Sequence, residues 1–333
     1  LQSRVFVRDL HAFIRSYGIQ GKTPQEHIVV FDEAQRAWDE NFMQFKKGVS
    51  RSEPELLVEI GSRIPGWCLL VGLVGSGQEI YSGEEAGLGQ WRDAVLGSSA
   101  TWLVHASPTL AGQMAGVGIK ESDLLSLSRS LRSHRAEYLH EWVNHLLNGS
   151  LALARRVASR LEQDAQAFDM YLTRDLDEAK QYARSRYAGE PDKRFGLLVG
   201  AHARAPRKYG VDNNFMAQSR MKIGRWFNAA QDDPHSCCQF GLPVTEFQVQ
   251  GLELDLPIVC WGDDYLWDGP TSKWRMRPAR SRYPQEDPEQ LLMNSYRVLL
   301  TRGRDGMVVF LPPEAAFDQT EIALLAAGLR PLE

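Results

Sequence analysis

The sequence predicts an α/β fold in which parallel strands alternate with helices, and two observations support this prediction. Apolar runs without alternation recur along the chain, for example at 28–31, 195–199 and 306–311. Runs of this length are typical of strands buried on both faces of a parallel sheet. Segments with apolar residues at helical spacing lie between the runs, and strands that alternate with helices define this class of fold.

The predicted elements follow in order along the chain. In the first part, helices are predicted at 4–17, 54–64 and 84–96, and strands at 28–31, 67–74 and 102–105. In the second part, helices are predicted at 135–147, 151–168, 175–184, 290–297 and 313–325, and strands at 170–173, 195–199, 246–249, 256–261 and 306–311. The polar stretch 263–287, rich in Trp, Arg and Pro, predicts a loop or insertion.

Length and composition limit the alternatives. The chain has 333 residues, which suggests about two domains of roughly 150 residues each. A Gly-rich, weakly apolar segment near 112–121 predicts a first lobe over 1–115 and a second over 116–333. The net charge of −4 predicts no attraction of the whole chain to nucleic acid. No apolar run approaches the ~18 residues that span a bilayer, and four cysteines without a C-x-x-C pair indicate buried thiols in a reducing, cytoplasmic compartment.

Two adjacent carboxylates, Asp32 and Glu33, directly follow the first predicted strand. Ligands bind at the carboxyl ends of the strands in parallel sheets, so these acids are expected where chemistry is usually done. Their spacing fits a Walker B element, in which Asp32 holds Mg²⁺ through water and Glu33 orients or deprotonates the attacking water. The alternative interpretation is a strand end that carries two acids without a catalytic role.

Five polar segments, taken in chain order, resemble the motifs of a known family. They are 32–35 (motif II), 75–80 (motif III), 127–133 (motif IV), 244–255 (motif V) and 296–304 (motif VI). Together they resemble superfamily 1 helicases of the UvrD/Rep kind. They are more closely similar to the bacterial helicase-like family related to the C-terminal ATPase of Schlafen proteins, over nearly the whole chain.

The resemblance implies two RecA-like lobes of the P-loop NTPase type, with ATP and Mg²⁺ between them. In the first lobe, Asp32 and Glu33 would bind the metal and Gln78 would sense the γ-phosphate. From the second lobe, Arg132 would reach the triphosphate and Arg302 would act as the arginine finger. A guanidinium suits this task because it is always charged and bonds two phosphate oxygens at once. The alternatives are that Gln78 is a simple turn residue and that Arg132 and Arg302 are solvated surface arginines.

Motif V implies three further roles. Gly251 would let the backbone approach the ligand, Glu253 would accept hydrogen bonds from the ribose hydroxyl, and Thr245 would contact the nucleic-acid backbone. Phe247 stands where many helicases carry His, which leaves the nucleic-acid contact at that position open. The alternative is a strand, a bulge and a strand with an incidental acid.

A stretch at 272–283 interleaves five basic residues with two aromatic residues. Within it, Lys273, Trp274, Arg275 and Arg277 are predicted to pair with phosphates and stack on bases of single-stranded nucleic acid. A solvated insertion loop is the alternative.

No G-x-x-x-x-G-K-[ST] occurs in the sequence, so the lysine that holds the β- and γ-phosphates is absent from it. Gly21-Lys22-Thr23 is not such a loop, because Ser16 stands where its first glycine is needed and a strand follows instead of a helix. In the family this loop lies upstream of motif II, so we expect the chain to begin after it and to be inactive alone.

These observations predict an ATP-dependent helicase or translocase that couples Mg²⁺-dependent hydrolysis to binding of DNA or RNA. Two alternatives stay open. One is a catalytically incomplete module that binds nucleic acid or a protein partner in a restriction- or defence-type system. The other is an ATPase switch that does not unwind. No association with a membrane is expected.

Overall fold

The computed structural model describes residues 7–75, 87–126, 134–163, 168–278 and 287–333. The chain divides into two compact units, Leu1–Arg129 with Ser281–Asp287 and Ser130–Arg280 with Pro288–Glu333. The two units are described one at a time. That they are RecA-like lobes with a boundary after residue 115 stays a prediction.

The described part of the first unit contains four short strands in two parallel pairs. β1 (Ile28–Phe31) pairs with β2 (Leu69–Gly72), and β3 (Val104–Ala106) pairs with β4 (Ile119–Glu121). The helices described in this unit are α1 (Leu10–Phe13), α2 (Glu40–Lys47), α3 (Glu53–Ser62), α4 (Gly89–Leu96) and α5 (Pro108–Ala111). A π-helical turn, Ile14–Ile19, continues α1.

Local sequence explains where α3 begins and what it packs against. The Ser52 hydroxyl accepts a hydrogen bond from the Glu55 backbone N–H, and the Glu55 carboxylate accepts one from the Ser52 N–H. This reciprocal capping box satisfies two donors that the helix itself leaves unpaired. Leu56 of α3 then packs with Ile14 and Met43 in a small buried cluster.

The strand predicted at 28–31 is present, but the expectation that both of its faces are buried is wrong. Ile28 and Val30 are 55% and 60% exposed, while Val29 and Phe31 are half-buried. Within the described residues, β1 and β2 form a sheet of two strands. So narrow a sheet leaves one face of β1 uncovered by the described part of the chain.

The second unit is built on a wider sheet. Its strands are β5 (Asp169–Thr173), β6 (Phe195–Val199), β7 (Val244–Thr245), β8 (Leu256–Cys260), β9 (Tyr265–Asp268), β10 (Lys273–Met276), β11 (Gly306–Phe310) and β12 (Arg330–Pro331). Six of them form a parallel sheet in the order β12–β5–β11–β8–β6–β7. Every residue of β6, β8 and β11 is buried, which confirms the predicted α/β class and fits a RecA-like fold.

Helices accompany this sheet on the chain. They are α6 (His134–Leu147), α7 (Leu151–Gln163), α8 (Leu176–Arg186), α9 (Phe215–Arg220), α10 (Ile223–Asn228), α11 (Glu246–Val249), α12 (Pro288–Leu300) and α13 (Asp318–Ala326). The sequence predicts five of these from apolar spacing, with ends that differ by a few residues. Within the described residues, no helix is both long enough and apolar enough to cross a bilayer.

Two predictions in this unit are wrong. The segment 246–249, expected as a strand, is the helix α11, because Thr245 and Gln248 form a capping box that starts a helical turn. The stretch 263–287, expected as a loop or insertion, is not a plain loop, because it contains the antiparallel hairpin β9–β10. Its alternation of aromatic and polar residues suits a strand with one packed face.

Candidate functional site

The acidic turn after β1 is held by a buried amide. Glu33 has a φ of 56°, a left-handed conformation that few side chains other than glycine adopt. The Gln35 side chain is 2% exposed. Its Nε2 donates to the Glu33 carboxylate at 2.6 Å, and its Oε1 accepts from the Gly75 backbone N–H at 3.0 Å. Gln35 therefore connects the catalytic candidate Glu33 to Gly75, the first residue of motif III.

Asp32 and Glu33 form an oxygen donor set that fits a magnesium ion. Asp32 is exposed, and its carboxylate accepts a hydrogen bond from the Glu33 N–H at 3.1 Å. Mg²⁺ is usually held by one or two carboxylates together with water and substrate phosphates, instead of by a protein cage. The described residues contain no cluster of three or more metal-ligating side chains. An ion that is shared with a phosphate ligand is the kind this turn could hold.

Two predicted site residues cannot be placed. Gln78 lies in 76–86 and Arg132 lies in 127–133, and both segments are outside the described residues. Their roles stay predictions.

In the second unit, motif V and motif VI lie side by side. The Leu254 N–H donates to the Arg302 carbonyl at 2.9 Å, and the Arg304 N–H donates to the Leu254 carbonyl at 2.9 Å. Both segments lead directly into buried parallel strands, β8 and β11, so they lie at the amino edge of the sheet. A Cβ at Gly303 would stand 2.2 Å from the Gly306 carbonyl oxygen, which explains the glycine there.

This adjacency brings Glu253 and Arg302 into one region of the second unit. The Glu253 carboxylate pairs with the Arg304 guanidinium at 3.2 Å, and both side chains are partly exposed. Arg302 is 5% exposed. Its Nε donates to the Val298 carbonyl at 2.9 Å, so its guanidinium lies against the last turn of α12.

Gly251 and Thr245 both have local structural roles in motif V. Gly251 has a φ of 77°, a conformation in which any side chain is strained. Thr245 is 5% exposed, and its hydroxyl donates to the Gln248 side chain at 3.3 Å within the capping box of α11. The geometry therefore gives Thr245 a helix-capping role. A contact to nucleic acid stays a prediction.

The β9–β10 hairpin separates its cations from its tryptophan. Lys273 and Arg275 alternate on the exposed face of β10. Trp274 points the other way, stacks on Tyr265 with ring centroids 4.7 Å apart, and donates its indole N–H to the Leu146 carbonyl at 2.7 Å. The geometry thus favours a packing role for Trp274 and leaves Lys273 and Arg275 facing outward.

Arg277 follows the hairpin and pairs with the Asp263 carboxylate. Asp263 also accepts hydrogen bonds from the Arg204 and Ala205 backbone N–H groups at 2.8 and 3.0 Å. Arg277 is therefore part of a local polar network, and about half of its side chain stays exposed.

A buried acidic group that sequence reasoning missed lies at the opposite, carboxyl edge of the same sheet. Glu246 is 2% exposed and accepts a hydrogen bond from the Ala201 N–H at 2.8 Å. Burial raises its pKa to about 7. Nearby, Asp264 accepts from the Tyr296 hydroxyl at 2.7 Å, and burial raises the pKa of this carboxyl as well. No local pattern in the sequence marks this pair, because its partners come from distant segments.

A second missed network joins motif V to motif VI at the amino edge. The Lys193 ammonium donates to Asp255 at 3.2 Å and to Asp305 at 2.6 Å. Asp305 also accepts from the Tyr187 hydroxyl at 3.1 Å. Hydrogen bonds to Asp305 and Asp255 raise the pKa of Lys193 and keep it charged. One cation therefore holds together the two segments that carry Glu253 and Arg302.

Comparison with known proteins gives one family. The chain matches the model of "Schlafen group 3, DNA/RNA helicase domain" over residues 2–313, which is most of its length. No curated protein matches the chain.

Proposed function

The chain belongs to the Schlafen group 3 DNA/RNA helicase domain family, and on that premise we propose that it is the core of a superfamily 1 helicase-like ATPase. In this proposal ATP hydrolysis, with Mg²⁺, is coupled to the binding of single-stranded DNA or RNA. Asp32 and Glu33 hold the metal ion, which neutralises charge on the phosphates. Glu33 also orients or deprotonates the attacking water.

One observation carries the proposal. Gln35 fixes the Glu33 carboxylate with one end of its amide and the Gly75 backbone with the other. A left-handed glutamate that is held by a buried amide is an unfavourable arrangement unless the orientation of its carboxylate has a use. The hydrogen bonds also tie the acidic turn to Gly75, the first residue of motif III.

The second unit supports the same proposal from its own residues. Motifs V and VI run side by side and are joined by Lys193, which fixes the backbone around Glu253 and Arg302. We assign Glu253 to the ribose, and Arg302 and Arg132 to the triphosphate. An arginine that stabilises charge on the γ-phosphoryl group typically contributes ~10³–10⁵ in rate. Arg302 is only 5% exposed, so it must leave its present hydrogen bond to the Val298 carbonyl in order to act on the γ-phosphoryl group.

The test uses the full-length protein. Glu33→Gln should abolish ATP hydrolysis in the presence of a single-stranded oligonucleotide and leave ATP binding intact. Glu40→Gln, which removes an exposed acid from α2, is the matched control and should hydrolyse ATP at the wild-type rate. Unchanged turnover in Glu33→Gln would refute the role assigned to this residue.

A second candidate function is a binding module that does not hydrolyse ATP. One observation favours it: Arg302 is buried against its own helix. It predicts oligonucleotide binding without any ATPase activity in the full-length protein. A strand-displacement assay beside the ATPase assay also separates a helicase from an ATPase switch that does not unwind.

A further inference from the structure

A cavity of about 360 Å³ lies in the second unit between α9, α10 and the segment 234–242. This volume falls within the range of small-ligand sites, which is about 300–1,000 Å³. Its walls include the side chains of Arg220, Met221, Lys222, Arg225 and Trp226. None of the residues to which the proposed function assigns a role lines it.

The cavity is locally basic in a chain with a net charge of −4. Three cations line it, and no carboxylate does. Arg225 is paired with Asp233 at 3.1 Å. The exposed side chains of Arg220 and Lys222 make no hydrogen bond or ion pair with any residue in the part of the chain that the structure describes. A cavity lined by one sign of charge concentrates ligands of the opposite sign.

The other wall of the cavity is apolar, and the Trp226 ring in it is held in place. Trp226 is 3% exposed, and its indole N–H donates to the Leu242 carbonyl at 3.1 Å, which sets the plane of its ring. Met221 stands beside it and can adapt to the shape of a ligand. On the same helix as Arg220, Phe215 is 81% exposed. Cations beside an apolar wall and an exposed ring are the combination that binds phosphate and base together.

Hydrogen bonds tie this cavity to motif V. The Gln218 side chain of α9 donates to the Pro243 carbonyl at 3.0 Å, directly before β7. The Gln248 side chain, which caps Thr245, donates in turn to the Gln218 carbonyl at 3.4 Å. The helix that carries Arg220 is therefore anchored to the segment that the resemblance assigns to nucleic acid.

We propose that this cavity binds one phosphate-bearing nucleotide unit of a single-stranded nucleic acid. Its phosphate pairs with Arg220 and Lys222, and its base or sugar packs against Met221 and Trp226. The inference rests on the proposed function, because it takes its ligand class from the nucleic-acid partner proposed there. It assigns that partner a binding site formed within the second unit.

The test measures binding of a labelled single-stranded oligonucleotide to the full-length protein by fluorescence anisotropy over a range of salt concentrations. Arg220→Ala with Lys222→Ala should weaken binding about tenfold or more. It should also lower the slope of log K against log salt by about 0.7, since the one phosphate contact on a single strand contributes ~0.7. Arg220→Lys with Lys222→Arg should restore most of both quantities.

The matched control removes the same charge elsewhere. Arg156→Ala with Arg160→Ala takes two cations from the exposed face of α7, outside the cavity lining, and should leave both quantities unchanged. Equal binding by wild type and the cavity variant would overturn the inference and leave the proposed function standing. So would a cavity variant that loses binding of free AMP and keeps oligonucleotide binding.

Hydrolysis is read separately. If the full-length wild-type protein hydrolyses no ATP but binds the oligonucleotide, and the cavity variant loses this binding, the inference is supported and the proposed ATPase activity is refuted. A wild-type protein that binds no oligonucleotide would overturn the inference and the nucleic-acid part of the proposed function together.

Discussion

The buried carboxyl of Glu246 makes the stability of the second unit depend on pH. Burial raises its pKa from 4.5 to about 7, so the folded protein binds this proton more tightly than the unfolded chain does. The stability that this proton contributes is complete below pH ~4.5 and is lost as the pH rises through ~7. At about 1.4 kcal/mol for each pH unit, the loss amounts to about 3 kcal/mol.

Glu246→Gln isolates this effect, because glutamine has nearly the same shape and keeps an oxygen that accepts the hydrogen bond from Ala201. At pH 5 the variant should be about as stable as the wild type. At pH 8 it should be more stable by up to about 3 kcal/mol, since it has no charge to bury. The ionisation of Asp264 is common to both proteins, so the difference between them reports mainly on Glu246.

Urea unfolding at pH 5 and pH 8 measures this difference. Hydrogen exchange of peptides that cover β6 and α11 assigns the transition to the second unit. Glu289→Gln, which changes an exposed acid on α12, is the control and should show no pH-dependent gain. The reasoning is refuted if the free energies of unfolding of Glu246→Gln and wild type differ by the same amount at both pH values.

Three further substitutions test single contacts. Gln35→Ala should lower kcat for ATP about 10–100-fold in the full-length protein with little change in KM, because Glu33 loses its orientation; equal kcat would show that Gln35 does not position it. Trp274→Ala should cost about 3 kcal/mol in urea unfolding, whereas Lys273→Ala on the exposed face should change stability by less than about 0.5 kcal/mol. Gly303→Ala should cost about 3 kcal/mol or more, because its Cβ meets the Gly306 carbonyl; an unchanged melting temperature would contradict that clash.

The sheet of the second unit could be predicted from the sequence because burial on both faces leaves a continuous apolar run. The runs at 195–199, 256–261 and 306–311 correspond to β6, β8 and β11 within one residue. The same rule fails for β1, where an identical pattern has an exposed face. An apolar run shows that a segment can be a buried strand, but whether both of its faces are covered depends on segments far along the chain.

The misassigned elements have local causes. At 246–249 the sequence analysis predicts a strand, but the capping box between Thr245 and Gln248 provides backbone partners that favour a helical turn. At 263–287, the charged and proline residues favour a loop in a reading of the sequence alone. The hairpin that forms there is held by aromatic packing between segments, such as Trp274 on Trp261 and Tyr265. Single-sequence patterns do not contain these long-range contacts.

The candidate site was only partly predictable for the same reason. The acids of motif II and the adjacent motifs V and VI could be identified by residue type and order. The roles of Gln35, Lys193 and Glu246 could not, because each bonds to a partner 40 or more positions away: Gln35 to Gly75, Lys193 to Asp255 and Glu246 to Ala201.

The central proposal is that the protein hydrolyses ATP and that Arg302 acts on the triphosphate. Its most direct test is the rate of ATP hydrolysis by full-length Arg302→Lys with a single-stranded oligonucleotide present. Arg156→Lys, on the exposed face of α7, is the control, and thermal melts show whether both variants fold. The account predicts a loss of about 10³-fold or more for Arg302→Lys alone. Hydrolysis by that folded variant at the wild-type rate would contradict it.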